Sequence, residues 1–235
     1  MCVKLKNIFI VFLIVGFFIW GFAVGKYQTF PYSFLQDINW SLKSKVKATG
    51  NEFTQFDIFK PDVDFVFIGD SITAGGNWHD MFPEHSLANR GIGGETIREI
   101  ALRLQEIDDL KPKAVFLMAG VNDIGRGETL ENMLQGFRTV VDHFTRQGIA
   151  VYLQSTIQCS VNSCGEERLN KIKSLNHELV ELANNSDLVS FVELNSFLSD
   201  DSGLKKDLTN EGIHLNAKGY SLWRDFLKKE IAILN

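Results

Sequence analysis

From residue 62 onward the chain alternates between two rhythms of apolar and polar positions. Short apolar runs occur in DFVFIG at 64–69, EHSLANRG at 84–91, KAVFLMAG at 113–120, IAVYLQST at 149–156 and LVSFVEL at 188–194. Their length and their β-branched and aromatic content predict strands. Between them lie longer stretches with apolar residues three or four apart. In GETIREIALRLQEIDDL, residues 94–110, Ile97, Ile100, Ala101 and Leu104 share one helical face. TLENMLQGFRTVVDHFTRQG at 129–148 predicts a helix closed by Gly148. Further helices are predicted over 166–185 and 217–234. Strands that alternate with amphipathic helices predict an α/β domain over residues 62–235, a parallel sheet covered on both faces.

The first sixty residues have a different pattern. IFIVFLIVGFFIWGFAVG, residues 8–25, contains no charge and follows Lys4 and Lys6. Eighteen residues of helix would span about 27 Å, close to the thickness of a bilayer's hydrocarbon. Residues 1–25 are therefore expected to form an uncleaved transmembrane anchor. A signal peptide cleaved near Ala23 and Gly25 is the alternative, although signal cores are usually shorter. The lysines at the start place the N-terminus in the cytoplasm, and either reading exports the remainder. Residues 26–61 read as a stalk, with Phe34, Ile38, Leu42 and Val46 spaced for one amphipathic helix.

Composition adds two constraints. The formal net charge is −5 with no long basic run, so nucleic acid is not an expected partner. Cys159 and Cys164 lie close together in IQCSVNSCGEE, within a domain expected outside the cytoplasm, where a disulfide persists. Two free thiols are the alternative. A zinc pair is the poorer reading, because no second cysteine or histidine pair lies nearby. No metal and no cofactor are expected.

The candidate chemistry begins at Gly69-Asp70-Ser71, where the first strand ends. In parallel α/β sheets ligands bind at the carboxyl ends of the strands. Gly-Asp-Ser alone is also ordinary turn chemistry. An activated serine needs a base, and the base needs an orienting partner. His79 and His85 flank the first loop, and His143 and His177 fall in helical stretches. His214 lies in LTNEGIHLNAKGY, a loop entering the last helix, and Glu211 precedes it by three residues. A carboxylate at that spacing in a turn can accept from Nδ1 and leave Nε2 facing the serine. Oxyanion donors are available from NRGIGGET at 89–96 and from Asn122 in AGVND at 119–123. As a dinucleotide fingerprint NRGIGGET fails, because Thr96 stands where the third glycine belongs and the next strand supplies no ribose-binding acid.

GDS at 69–71, NRGIGGET, GVND at 120–123 and ExxH at 211–214 together resemble, in order and spacing, the four blocks of the SGNH or GDSL hydrolases. The resemblance covers roughly residues 62–233. It implies a three-layer αβα fold on a flavodoxin-like sheet of five parallel strands. It implies Ser71 as nucleophile, His214 as general base and Glu211 as third member, where the family usually has Asp. It also implies the Ser71 and Gly94 N–H groups and the Asn122 amide as oxyanion donors. Asp70, expected to brace the loop that presents Ser71, and Asp123 are the supporting candidates. NRGIGGET and the neighbouring GGNWHDMF look most like the branch of platelet-activating-factor acetylhydrolase subunits and carbohydrate acetylesterases. The expected activity is removal of a short acyl group, acetyl above all, from an alcohol on a cell-envelope glycan or lipid, through an acyl-enzyme at Ser71. Trp78 is a candidate for the substrate pocket, with core packing as its alternative role. An acyltransferase using the same acyl-enzyme, or a silent anchored binding module, are the competing functions.

Overall fold

The structure, a computed structural model, describes residues 20–21, 55–56 and 58–234. The expected stalk helix lies outside the described residues, as does the apolar run apart from Trp20 and Gly21. No helix among the described residues is long and apolar enough to cross a membrane.

Five parallel strands form the sheet: β1 (Phe65–Gly69), β2 (Leu87–Gly91), β3 (Ala114–Met118), β4 (Ala150–Gln154) and β5 (Val189–Val192), in spatial order β2-β1-β3-β4-β5. Every residue of β1 and β3 is buried, as expected for central strands covered on both faces. Alternate side chains divide between two cores. Val66, Ile68, Val115 and Leu117 pack with Ile97, Ile100, Phe137, Phe144, Ile172 and Leu179 on one face. Phe65, Phe67, Phe116 and Met118 pack with Ile72, Trp78, Trp223 and Leu227 on the other. This is the expected three-layer αβα sandwich.

The helices of the first core are α3 (Ile97–Ile100), α4 (Leu104–Asp108), α6 (Leu130–Thr145) and α7 (Val161–Ala183). Those of the second are α1 (Ser71–Ala74), α2 (Trp78–Met81), α8 (Asn195–Leu198) and α9 (Ala217–Glu230), and α5 (Val121–Gly125) follows β3. A two-stranded hairpin, β6 (Ser199–Asp200) with β7 (Gly203–Leu204), precedes the last loop.

Three helices depart from expectation. α7 begins at Val161 rather than at 166, because a short turn of helix inside the segment joined by Cys159 and Cys164 precedes non-helical backbone at Gly165 (φ +78). The single helix predicted across 94–110 is broken into α3 and α4. Leu102 turns outward at the break, and Arg103 turns inward to a buried cluster. Its guanidinium meets Glu95 (Nη2 to Oε2, 2.6 Å), Glu106 and the Arg90 carbonyl oxygen (2.6 Å). Burial opposes the charge on Arg103, and the two carboxylates more than offset it. The last helix stops at Glu230, because Ile231 is extended and turns Leu234 into the core.

Register aligns the loops that matter. Gly69 is opposite both Gly91 and Met118, so the chain leaves β1, β2 and β3 at one level. The packing there admits no side chain. A Cβ on Gly69 would lie 2.2 Å from the Met118 carbonyl oxygen, and one on Gly91 would lie 2.2 Å from the Ala74 nitrogen.

Two carboxyls are buried beneath these loops. Asp70 caps α1 by accepting from the Ile72 N–H (2.9 Å), and Asp123 accepts from the Ile97 N–H (3.2 Å). Burial pushes both up to about 7, against those hydrogen bonds. An unfolded Asp ionises near 3.8. Below that value both states hold the proton. As pH rises the unfolded chain ionises first, so stability falls until the buried acid ionises at about 7. Asp70→Asn should remove that component, because an amide does not titrate and still offers an oxygen to Ile72. In urea denaturation the wild type should lose stability relative to the variant between about pH 4 and pH 7 and no further above that. Parallel pH profiles would contradict the buried, proton-binding Asp70.

Candidate active site

Ser71 opens α1 directly after the Asp70 cap. Its Oγ lies 2.8 Å from His214 Nε2. On the other side of the ring, His214 Nδ1 is 2.8 Å from Glu211 Oε1. The same oxygen accepts from the His214 backbone N–H at 2.6 Å. These two hydrogen bonds to one oxygen show how the longer Glu arm folds back onto the ring. Burial works against the charge of Glu211, yet the backbone and ring hydrogen bonds from His214 hold its carboxyl below the usual value. With Nδ1–H donated to the carboxylate, Nε2 is left as an acceptor for the Ser71 hydroxyl. The three residues thus form one continuous relay, exposed to solvent at the histidine.

Three donors surround the serine. No hydrogen bond within the described residues uses the N–H of Ser71 or of Gly94. Gly94 has φ +73, a left-handed conformation that suits glycine. Its carbonyl oxygen accepts from Arg126 Nη2 at 2.5 Å, and Arg126 also pairs with Glu99 (3.1 Å), which fixes the orientation of the peptide. The Asn122 amide gives one hydrogen to the Glu95 carbonyl oxygen (3.0 Å) and keeps its second. Glu95 is itself held by buried Arg103.

Ser71, Gly94, Asn122 and His214 line one cavity of about 460 Å³. Its apolar walls come from Val121 and Ile124 of α5, Ile172 of α7, Ile213 and the Cys159–Cys164 disulfide. That disulfide closes a loop which also holds the acid–base segment. Ser160 N–H donates to the Gly212 carbonyl oxygen (2.7 Å), and Ser163 Oγ donates to that of Glu211 (2.6 Å). Gly212 has φ +91, and a Cβ there would lie 2.0 Å from Ser163 Oγ. The cysteines are therefore part of the cavity wall and adjoin the loop that carries Glu211 and His214.

Trp78 does not belong to the cavity. It is 1% exposed, stacks on Phe67 with centroids 3.9 Å apart, and donates from Nε1 to the Thr73 carbonyl oxygen (2.9 Å). The indole supports α1 from inside the second core, so the pocket expectation for it is corrected. Among the described residues no group of His, Cys, Asp and Glu side chains could hold a metal ion.

Sequence reasoning missed several supporting residues. Asn89 gives its amide hydrogens to carbonyl oxygens of Thr73, Ala74 and Gly76, and accepts from the Gly91 N–H (2.9 Å), so it pins the end of α1 to β2. Tyr220 O–H donates to the Ile72 carbonyl oxygen (2.7 Å) from α9. The signal for Arg103 was present: an arginine and two glutamates inside an apolar helical pattern. Nothing local marks Ser163.

Comparisons with known proteins agree with this geometry. The family model of GDSL-like lipases and acylhydrolases matches residues 67–222. The platelet-activating factor acetylhydrolase IB subunit alpha2 of Rattus norvegicus is 35% identical over 89 residues, covering 35% of this chain. The match spans 37% of that relative's length. Among solved structures, a GDSL-like lipase from Bacteroides thetaiotaomicron superposes with a TM-score of 0.68 at 23% identity, covering 77% of this chain and 96% of the other. The acetyl xylan esterase AlAXEase superposes with a TM-score of 0.59 at 22% identity, covering 72% and 99%. These two likenesses concern the fold. The ordered blocks, the five-stranded parallel sheet and the family match place the chain among the GDSL-like lipases and acylhydrolases, a family of carboxylic ester hydrolases.

Proposed function

We propose that this protein hydrolyses short-chain carboxylic esters through an acyl-enzyme on Ser71. The observation that carries the reading is the relay from Ser71 Oγ through His214 to Glu211, with 2.8 Å at each step. Ser71 Oγ attacks the ester carbonyl carbon while its proton passes to His214 Nε2. Negative charge gathers on the carbonyl oxygen, which takes hydrogen bonds from the Ser71 and Gly94 N–H groups and from Asn122. The imidazolium, steadied by Glu211, returns the proton to the departing alcohol oxygen. Water then attacks the acyl carbon, with His214 as base, and the released acid regenerates Ser71.

Acetyl is the acyl group we assign. A relative and a fold neighbour are both named for acetyl esters. The carrier we assign is a cell-envelope glycan or lipid, reached by a catalytic domain outside the cytoplasm and held there by the apolar segment at 8–25. Acetyl, butyryl and octanoyl p-nitrophenyl esters test the activity directly. Acetyl should be turned over fastest, and Ser71→Ala should abolish turnover while the protein stays folded. Turnover that survives in Ser71→Ala would refute the mechanism.

The Glu211 series tests the relay. Glu211→Gln should lower kcat by about 10³- to 10⁴-fold, because the amide favours the wrong ring tautomer. Glu211→Asp should cost less, since the charge survives but the reach is shorter by one methylene. A Gln variant with nearly normal kcat would leave a Ser71–His214 dyad.

Export and the disulfide can be read together. In protein taken from cells under an alkylating quench, Cys159 and Cys164 should be blocked and should label only after reduction. Reduction should also lower kcat, because Ser160 and Ser163 then lose the closed loop that aims them at the acid–base segment. Cysteines that label readily without reduction would contradict the assigned location. An unchanged kcat on reduction would contradict the support.

A further inference from the structure

The cavity beside Ser71 carries more positive charge than the reaction requires. Its lining contains Arg126 and Arg168, and no Asp or Glu. The whole chain has a formal net charge of −5, so this positive wall is a local inversion. Arg126 is already committed to Gly94 and Glu99. Arg168 differs. It lies one turn before Ile172 on α7, and both line the cavity. Ile172 is in the core and Arg168 is exposed, so this helix face passes from the cavity's apolar floor to a charged rim.

Arg168 makes no hydrogen bond and no ion pair among the described residues; its neighbour Glu167 feels its charge but is hydrogen-bonded to Lys171 (2.8 Å). Several exposed cations of this domain pair with carboxylates, such as Lys113 with Asp64, Lys218 with Asp207 and Lys228 with Glu84; Arg138, Lys173 and Lys206 make no such pair among the described residues, and Arg168 differs from these three by lining the cavity. An arginine offers a planar fork of donors suited to a carboxylate or a phosphate. Here the fork is unpaired at the rim of an otherwise apolar cavity, with a second arginine in the lining.

Building on the esterase reading, we propose that Arg168, assisted by the charge of Arg126, is an anion subsite that selects esters bearing a carboxylate or phosphate near the scissile bond. The apolar wall of Val121, Ile124 and Ile172 receives the uncharged part of such a substrate, and the rim receives its anionic group. The subsite thereby favours an acidic carrier over a neutral one.

Three aryl acetates test this with the full-length protein: methyl 4-acetoxybenzoate, 4-acetoxybenzoate and 4-acetoxyphenyl phosphate. Comparing each variant with wild type on the same ester cancels intrinsic reactivity. Arg168→Gln should lower kcat/KM for at least one anionic ester, relative to the neutral one, by about five- to tenfold. Arg168→Lys should recover part of the loss. Arg138→Gln, an exposed arginine on α6 outside the cavity lining, should leave the ratio unchanged. A loss confined to the carboxylate or to the phosphate supports the subsite and identifies the anion. An unchanged ratio in Arg168→Gln, or an equal fall in Arg138→Gln, would overturn the subsite while leaving the esterase reading in place. Folded wild type that turns over none of the three would overturn the esterase reading, and the subsite with it.

Discussion

The hydrogen bond between Ser71 Oγ and His214 Nε2 joins residues 143 apart in sequence. It forms only if the turn after β1 and the loop before α9 meet at one edge of the sheet. Parallel pairing supplies the first half of that condition by ending β1, β2 and β3 at the same level. Trp78 under α1, Asn89 at its end and the Tyr220 hydroxyl on Ile72 then hold the serine in place. The second half comes from the disulfide loop, whose Ser160 and Ser163 hold the carbonyl groups of Gly212 and Glu211. A serine hydroxyl is a weak nucleophile without its base, so this one distance ties the fold to the chemistry.

The region around the site contains groups that stability alone would not favour. Asp70 and Asp123 are buried carboxyls whose ionisation burial resists. Arg103 is buried with Glu95 and Glu106, an arrangement in which desolvation opposes the attraction and which well-packed apolar residues often match in stability. Each has a positional consequence. Asp70 caps the helix that Ser71 opens. Asp123 holds the start of α3. Arg103 fixes Glu95, whose carbonyl oxygen orients the amide of Asn122. Polar groups that are hydrogen-bonded in a low-dielectric setting give rigid geometry, and pre-set donors are what an oxyanion site needs.

Much of this was legible in the sequence, and the limits have physical reasons. The five strands stand out because their apolar runs are bounded by turn residues, and buried parallel strands have little polar alternation to confuse them. Glu211 and His214 could be paired from their spacing, because both lie in one short loop. The break between α3 and α4 was hidden, since Ile97, Ile100, Leu104 and Ile107 keep a helical rhythm while buried Arg103 redirects the backbone. Trp78 was ambiguous for a related reason: a tryptophan in a loop beside a candidate serine can face either the cavity or the core, and only its stacking on Phe67 decides. Ser163 and Asn89 act through backbone carbonyls on distant segments, a role that no local pattern encodes. The apolar run at 8–25 and the stalk are read from the sequence alone.

The central claim is that Ser71 is the activated nucleophile of this relay. Labelling with a fluorophosphonate, followed by digestion and mass spectrometry, tests it most directly, because the reagent needs both an activated serine and donors for the phosphoryl oxygen. The account predicts one adduct per chain, on the peptide that carries Ser71, forming far more slowly in His214→Ala. An adduct on another serine, or labelling of Ser71 at the same rate without His214, would contradict it.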